Sequence, residues 1–214
     1  MNAKPLIAAL RASVLLLVAG TATAQGYLID SLEFPKDMPP EIGALDFARD
    51  GMLYVCLRRG DVMTAKPSKD PKGFRWKRFA TGFHNGCGMH IVKPGHLIIS
   101  QMAELTEVID LDGDGVADEY NKLETGIGLS GNYHETNAIC PDGKGGLYVA
   151  GGTASHNGPT SSTPLGRYSK IGRYGRNYSA VQYRGWVMHR AKDGSITPFS
   201  SGYRMHNGIE FDPG

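Results

Sequence analysis

Four aspartates crowd one short run, Asp110-Leu111-Asp112-Gly113-Asp114-Gly115-Val116-Ala117-Asp118-Glu119. Carboxylates at alternate positions, with glycines that let the backbone curl, bring several oxygens to one point, and that is the ligand set calcium prefers. Asp110, Asp112, Asp114 and Asp118 are therefore the expected ligands of a calcium ion that braces a loop. Without a cation these like charges would repel one another. The run departs from an EF-hand, because Asn121 stands where that loop needs a bidentate glutamate and Thr106-Glu107-Val108-Ile109 reads as a strand. The plainer alternative is an Asp-Gly hairpin with solvated carboxylates.

The seven histidines are scattered, and none has the His-x-x-x-His spacing that places two imidazoles on one metal. A zinc enzyme is disfavoured. His134, in Gly131-Asn132-Tyr133-His134-Glu135 just ahead of an expected strand, is the candidate general base, against the ordinary alternative of a structural histidine. His206, in Arg204-Met205-His206-Asn207-Gly208, ranks below it. Cys56, Cys87 and Cys140 are an odd set, so an oxidising compartment permits one disulfide and leaves one thiol, with the pairing open. No Cys-x-x-Cys-His is present, which excludes a covalent c-type haem on this segment. Cys56, inside Leu53-Tyr54-Val55-Cys56-Leu57, reads as a buried core thiol.

The elements that must position these groups are legible in the punctuation. Of 214 residues 29 are glycine, roughly twice the usual share of about 7%. Helix interiors tolerate glycine poorly, so turn-dense sequence with short apolar runs implies an all-β chain. Asp50-Gly51 precedes Met52-Leu53-Tyr54-Val55, Pro94-Gly95 precedes His96-Leu97-Ile98-Ile99, and Asp142-Gly143 precedes Leu147-Tyr148-Val149. These phrases recur roughly every 45 to 50 residues, the length of one four-stranded blade of a β-propeller. The phrase is complete three times, and Gly208-Ile209-Glu210-Phe211 reads as a further strand entering a turn. The expected fold is a partial β-propeller of about four blades, truncated relative to a closed ring.

With 23 Lys+Arg against 21 Asp+Glu, the formal charge of +2 gives no broad field for a polyanion, so nucleic acid is not an expected partner. Lys4 and Arg11 flank an apolar stretch centred on Val14-Leu15-Leu16-Leu17-Val18-Ala19, and Ala22-Thr23-Ala24 supplies a small-x-small cleavage signal. Residues 1–24 read as a secretory signal peptide, and residues 25–214 as the propeller portion. The apolar core is shorter than the roughly 20 residues that cross a bilayer. No membrane span is expected after cleavage, and the product is placed in the periplasm or outside the cell. Gly151 to Ala180, polar and rich in Gly, Ser, Tyr and Arg, reads as a long inserted loop, either a solvated surface or a place where arginines and tyrosines stack on a sugar or cofactor ring.

Two segments carry a family resemblance. His134 leads through Asn137-Ala138-Ile139-Cys140 to Pro141-Asp142-Gly143 and Leu147-Tyr148-Val149; Trp186-Val187-Met188-His189-Arg190 leads through Asp193-Gly194-Ser195 to Gly202-Tyr203-Arg204 and Gly208-Ile209-Glu210-Phe211. These segments resemble the soluble quinoprotein glucose dehydrogenase and sorbosone dehydrogenase group, six-bladed propellers that use pyrroloquinoline quinone. The acidic loop followed by Asn132-Tyr133-His134 is similar to the exported sorbosone-dehydrogenase-like branch, whose members are often longer and in some cases joined to a cytochrome domain. The resemblance implies that His134 takes a proton from a sugar hydroxyl while hydride passes to the quinone, and that Arg204 stabilises negative charge on the reduced cofactor. The family has asparagine directly after this arginine, where this chain has Met205. A calcium that helps hold the quinone would be separate from the ion at Asp110. The implied partners are a small sugar substrate and a cytochrome electron acceptor. The competing reading is a noncatalytic propeller that binds carbohydrate or a protein through its Tyr- and Arg-rich loop.

Overall fold

In the computed structural model, which describes residues 29–102, 104–125, 127, 136–153 and 185–212, each recurring Asp-Gly or Pro-Gly phrase closes a hairpin between the first two strands of a sheet. The first sheet is β1 (Ile42–Phe47), β2 (Leu53–Leu57), β3 (Val62–Ala65) and β4 (Lys77–Ala80). The second is β5 (Gly88–Lys93), β6 (His96–Gln101), β7 (Glu104–Ile109) and β8 (Glu119–Glu124). The third is β9 (Thr136–Pro141), β10 (Leu147–Gly151), β11 (Trp186–Arg190) and β12 (Ile196–Ser201). All three are antiparallel meanders in strict sequence order. Their first strands approach one another, β1 beside β5 and β5 beside β9. Successive four-stranded meanders meeting through their first strands are blades around an axis, so the chain is an all-β, partial β-propeller. These strands all belong to one compact unit, Leu32–Gly214.

Period-two alternation explains why the blades stack. Within β2, Tyr54 and Cys56 join a core with Phe79, Phe83, Leu97, Ile99 and Val108, which is the seam between blades one and two. The intervening Leu53, Val55 and Leu57 pack with Met38 and Met63 on the other face, closed over by Phe34, Phe74 and Trp76. Blade two does the same one step on: Leu97 and Ile99 face blade one, while Ile98 and Leu105 meet Ile139, Leu147 and Val149 of blade three. A strand buried on both faces reads as a continuous apolar run, which is how Leu53–Leu57 and Leu97–Ile99 appear in the sequence. Each fully buried Leu or Ile contributes roughly 1.5–3 kcal/mol of transfer free energy. The apolar seams therefore dominate the hold between blades.

Three complete blades lie among the described residues, against the sequence expectation of about four. Ile209–Phe211, read as a strand, forms none among the described residues. A strand exists only through a neighbour's ladder, and this segment instead lays Phe211 against Tyr148 of β10, ring centroids 6.1 Å apart. No described helix is long and apolar enough to cross a membrane. The signal-peptide expectation for residues 1–24 and most of the expected loop between Gly151 and Ala180 lie outside the described residues.

Candidate functional site

Arg204 sits on the connector that leaves blade three. The register pairs Gly151↔Thr136, Gly151↔Trp186 and Trp186↔Ser201 set a row across that blade, at the end away from the Asp142 turn. With strands about 4.8 Å apart, this row is roughly 14 Å wide. A chain leaving β12 must recross it to regain the axis. Gly202 makes the bend at φ +96°, a value that side chains resist. The Arg204 carbonyl oxygen then accepts the Thr153 backbone N–H at 2.8 Å and its hydroxyl at 3.3 Å. Thr153 continues β10, the strand beside β9, so the connector is drawn to the inner half of the blade, where β9 begins at Thr136. His134 precedes Thr136 by two residues in sequence and itself lies outside the described residues. The Arg204 side chain is exposed and makes no ion pair among the described residues.

His206 is buried, with its ring 4.5 Å from Tyr203, which makes it a support for the connector rather than a group presented to solvent. A hollow of about 350 Å³ opens beside it, walled by Tyr148, Phe199, Tyr203 and Phe211. Met205 is exposed.

The connector has a counterpart that sequence reading passed over. Thr81-Gly82-Phe83-His84-Asn85-Gly86 leaves blade one as Ser201-Gly202-Tyr203 with His206-Asn207-Gly208 leaves blade three. Gly82 shares the φ of +96°, and the Phe83 N–H donates to the Gly60 carbonyl as the Tyr203 N–H donates to that of Gly185. Asn85 adopts φ +57°, and its Oδ1 accepts Arg58 Nε at 2.7 Å. A two-residue difference in length hides the repeat. The shared Gly-aromatic and His-Asn-Gly phrases were the signal.

The acidic run forms the β7–β8 hairpin loop. Asp110, Asp112 and Asp118 bring one carboxylate oxygen each within 4.8 Å of one another. Asp114 stands outside that group: its carboxylate accepts the Val116 N–H at 2.7 Å, and its carbonyl accepts the Lys77 ammonium. Asp110 is also a backbone anchor, taking the N–H groups of Gly113 and Gly115 at 2.7 and 2.8 Å, and Asp118 takes that of Leu111 at 2.7 Å. The loop grips blade one, with Ala117 N–H on the Phe79 carbonyl at 2.7 Å and the Thr81 N–H on the Tyr120 hydroxyl at 3.2 Å. It projects at the Pro94-Gly95 end of blade two, since the Asp110 N–H donates to the Gly95 carbonyl at 2.8 Å. The acidic group and Arg204 therefore occupy opposite ends of their blades.

A further ionic group was invisible in the sequence. Asp142 accepts His189 Nε2 at 2.8 Å and the N–H groups of Lys144 and Gly146 at 2.7 and 2.8 Å. The His189 hydrogen bond, aided by those amides against the opposing cost of burial, holds its carboxyl down at about 2. Burial pushes the Cys56 thiol up to about 12, as suits the core thiol expected there. None of the three cysteines forms a disulfide among the described residues.

No family model matches the chain, and no curated protein matches it in sequence. Solved structures share its fold. A protein of Thermus thermophilus, described as a candidate oxidoreductase (glucose dehydrogenase), superposes with a TM-score of 0.55 at 17% identity, over 80% of this chain and 55% of that one. The pyranose dehydrogenase PQQ domain of Coprinopsis cinerea, in its holo form, superposes with a TM-score of 0.50 at 14% identity, over 80% of this chain and 36% of that domain. The chain thus spans about half the length of the first and about a third of the second, and its fold is that of the propeller found in these sugar-dehydrogenase-type structures.

Proposed function

We propose that this chain is the blade-one to blade-three part of an exported dehydrogenase that passes hydride from a sugar hydroxyl to pyrroloquinoline quinone. The observation that supports the reading is the tie between Thr153 and the Arg204 carbonyl, which draws the backbone of this exposed arginine to the inner half of blade three at the end where β9 begins. The donor chemistry fits the group: a quinone bearing carboxylates calls for a cation without a carboxylate partner, and Arg204 has none among the described residues. When bound, the cofactor supplies the hydride acceptor. Arg204 holds its anionic edge and offsets charge that grows there on reduction. His134 accepts the hydroxyl proton at its imidazole as the sugar carbon becomes a carbonyl. The chain's own contribution is orientation and that one proton. The sugar is the small-molecule partner, a cytochrome is the electron acceptor, and the site of action is the periplasm or the cell exterior.

The calcium at the acidic loop is structural in this account. Asp110, Asp112 and Asp118 would hold it, and the Ala117 and Lys77 contacts would carry its rigidity into the seam with blade one. It is a different ion from any that helps hold the quinone.

The test is quinone uptake by the protein expressed from its complete reading frame, followed by cofactor fluorescence in the presence of calcium. Saturable uptake that weakens at least tenfold in Arg204→Ala supports the reading. Uptake that is absent, or equal in the variant, removes it.

A further inference from the structure

Two consecutive arginines follow β2, and the structure treats them differently. Arg59 is neutralised, its Nε and Nη2 donating to Glu41 Oε1 at 3.1 and 2.9 Å. That bond holds the Glu41 carboxyl below its ordinary value, with the Arg58 charge contributing least. Arg58 makes no ion pair among the described residues. Its Nε donates instead to the Asn85 amide oxygen at 2.7 Å, across the seam between blades one and two. An amide oxygen is a neutral acceptor, so it orients a guanidinium without cancelling its charge. The Nη1–Nη2 edge remains as a fork, the shape that matches a carboxylate bidentately.

The backbone on both sides of this contact is fixed. The Arg58 N–H donates to the Glu41 carbonyl at 2.7 Å, where β1 begins. Asn85, at φ +57°, is the one left-handed non-glycine among the described residues, in a region asparagine enters more readily than most side chains. The Gly86 that follows is buried, and a Cβ on it would sit 2.5 Å from Cys56 Sγ. The Asn85 amide is thus presented from a closely packed stretch of chain.

Position decides what the fork can meet. Leu57 pairs with Ile42 at the end of blade one away from the Asp50-Gly51 turn. That is the counterpart of the blade-three end where Thr153 holds the Arg204 carbonyl. β1 lies beside β5 and β5 beside β9, so the entry to blade two at Asn85, the entry to blade three at Thr136 and the connector at Arg204 follow in that order around the axis. Arg58 and Arg204 therefore flank the start of β9, the strand that His134 precedes by two residues in sequence. A sugar whose reacting carbon faces the Arg204 side extends its far end towards Arg58.

We propose that Arg58, set by Asn85, binds the carboxylate of an acidic sugar, a hexuronate in class. The assignment rests on the sugar-dehydrogenase reading of this mouth and names its substrate. The quinone also bears carboxylates, so the two sources of that group must be separated by experiment.

The protein expressed from its complete reading frame, free of quinone, is treated with phenylglyoxal, which modifies accessible guanidinium groups. Reaction runs alone and beside D-glucuronate, D-galacturonate, their parent aldoses or the quinone, and mass spectrometry reads each arginine. A uronate should protect Arg58 saturably where its parent aldose does not, and the quinone should protect Arg204. Calorimetry at low salt should show that uronate binding about fivefold more tightly than its aldose, the size of one well-formed ion pair at an exposed site. The preference should vanish in Arg58→Ala. In Asn85→Gly, which allows the left-handed backbone and drops the amide oxygen, it should fall about twofold or more. Arg49→Ala, which removes one exposed charge at the other end of blade one, should keep it. Uronates bound no better than aldoses, Arg58 protected by the quinone and not by a uronate, or a preference that survives Arg58→Ala would each overturn the assignment. Uronate protection of Arg58 in a protein that takes up no quinone would uphold the acidic-sugar site and remove the redox reading.

Discussion

Thr153 and Arg204 lie 51 residues apart in the chain, yet Thr153 donates both its backbone N–H and its hydroxyl to one carbonyl oxygen, that of Arg204. The bond fixes a connector by its backbone and leaves the Arg204 side chain exposed. Arg204→Ala should therefore leave the fold intact while lowering kcat/KM for aldose-driven dye reduction by about 100-fold, the order seen when one charge-stabilising donor is removed. Arg204→Lys should recover part of that loss, since charge survives and the planar fork does not. Steady-state kinetics with an aldose panel, alongside circular dichroism of each variant, checks both.

The acidic loop separates its aspartates by role. Calcium should raise the melting temperature by several degrees, with the stabilisation growing as RT ln(1 + [Ca]/Kd), about 2.7 kcal/mol at a hundredfold excess over Kd. Asp110→Asn and Asp112→Asn should abolish that rise. Asp114→Asn should keep it, because its carboxylate lies outside the group and an amide oxygen still accepts from Val116. Differential scanning fluorimetry with and without chelator measures all four proteins.

Asp142 makes the third blade acid-sensitive. Its folded-state carboxyl lies at about 2, below the ordinary 3.8, so the unfolded chain takes up the proton first as acid is added. The stabilisation is full above about pH 4 and fades as pH falls towards 2. At pH 7, Asp142→Ala should cost about 1–3 kcal/mol, because two amides and His189 lose their acceptor. Urea titrations at pH 7 and pH 2.5 should show the gap between wild type and variant shrinking in acid.

Two glycines differ in why they are glycine. A Cβ on Gly43 would sit 1.9 Å from the Gly86 carbonyl oxygen, where β1 meets the entry to blade two. Gly51, at φ +81°, has open space around it. Gly43→Ala should cost about 3 kcal/mol, since backbone must move, and Gly51→Ala only about 1 kcal/mol of turn strain. Their urea midpoints rank the two.

These contrasts show what sequence made legible. Turn chemistry is local, so Asp50-Gly51, Pro94-Gly95 and Asp142-Gly143 announced three hairpins at blade spacing, and all three are present. Spacing also drew Asp114 into the expected ion site, because alternation reports which residues are near and not where the backbone turns each oxygen. The His189–Asp142 pair spans 47 residues and depends on two strands of one sheet coming into register, which no local pattern encodes. Ile209–Phe211 had the composition of a strand, but composition cannot supply the neighbour that makes one.

Hydride transfer with His134 as the base is the proposed reaction. Its most direct measurement is single-turnover reduction of the bound quinone by an aldose deuterated at C1, followed by absorbance in wild type and in His134→Ala. The expected result is a primary isotope effect on a fast phase in wild type and a rate at least 100-fold slower in the variant. No reduction in the loaded wild-type protein, or an equal rate in His134→Ala, would contradict it.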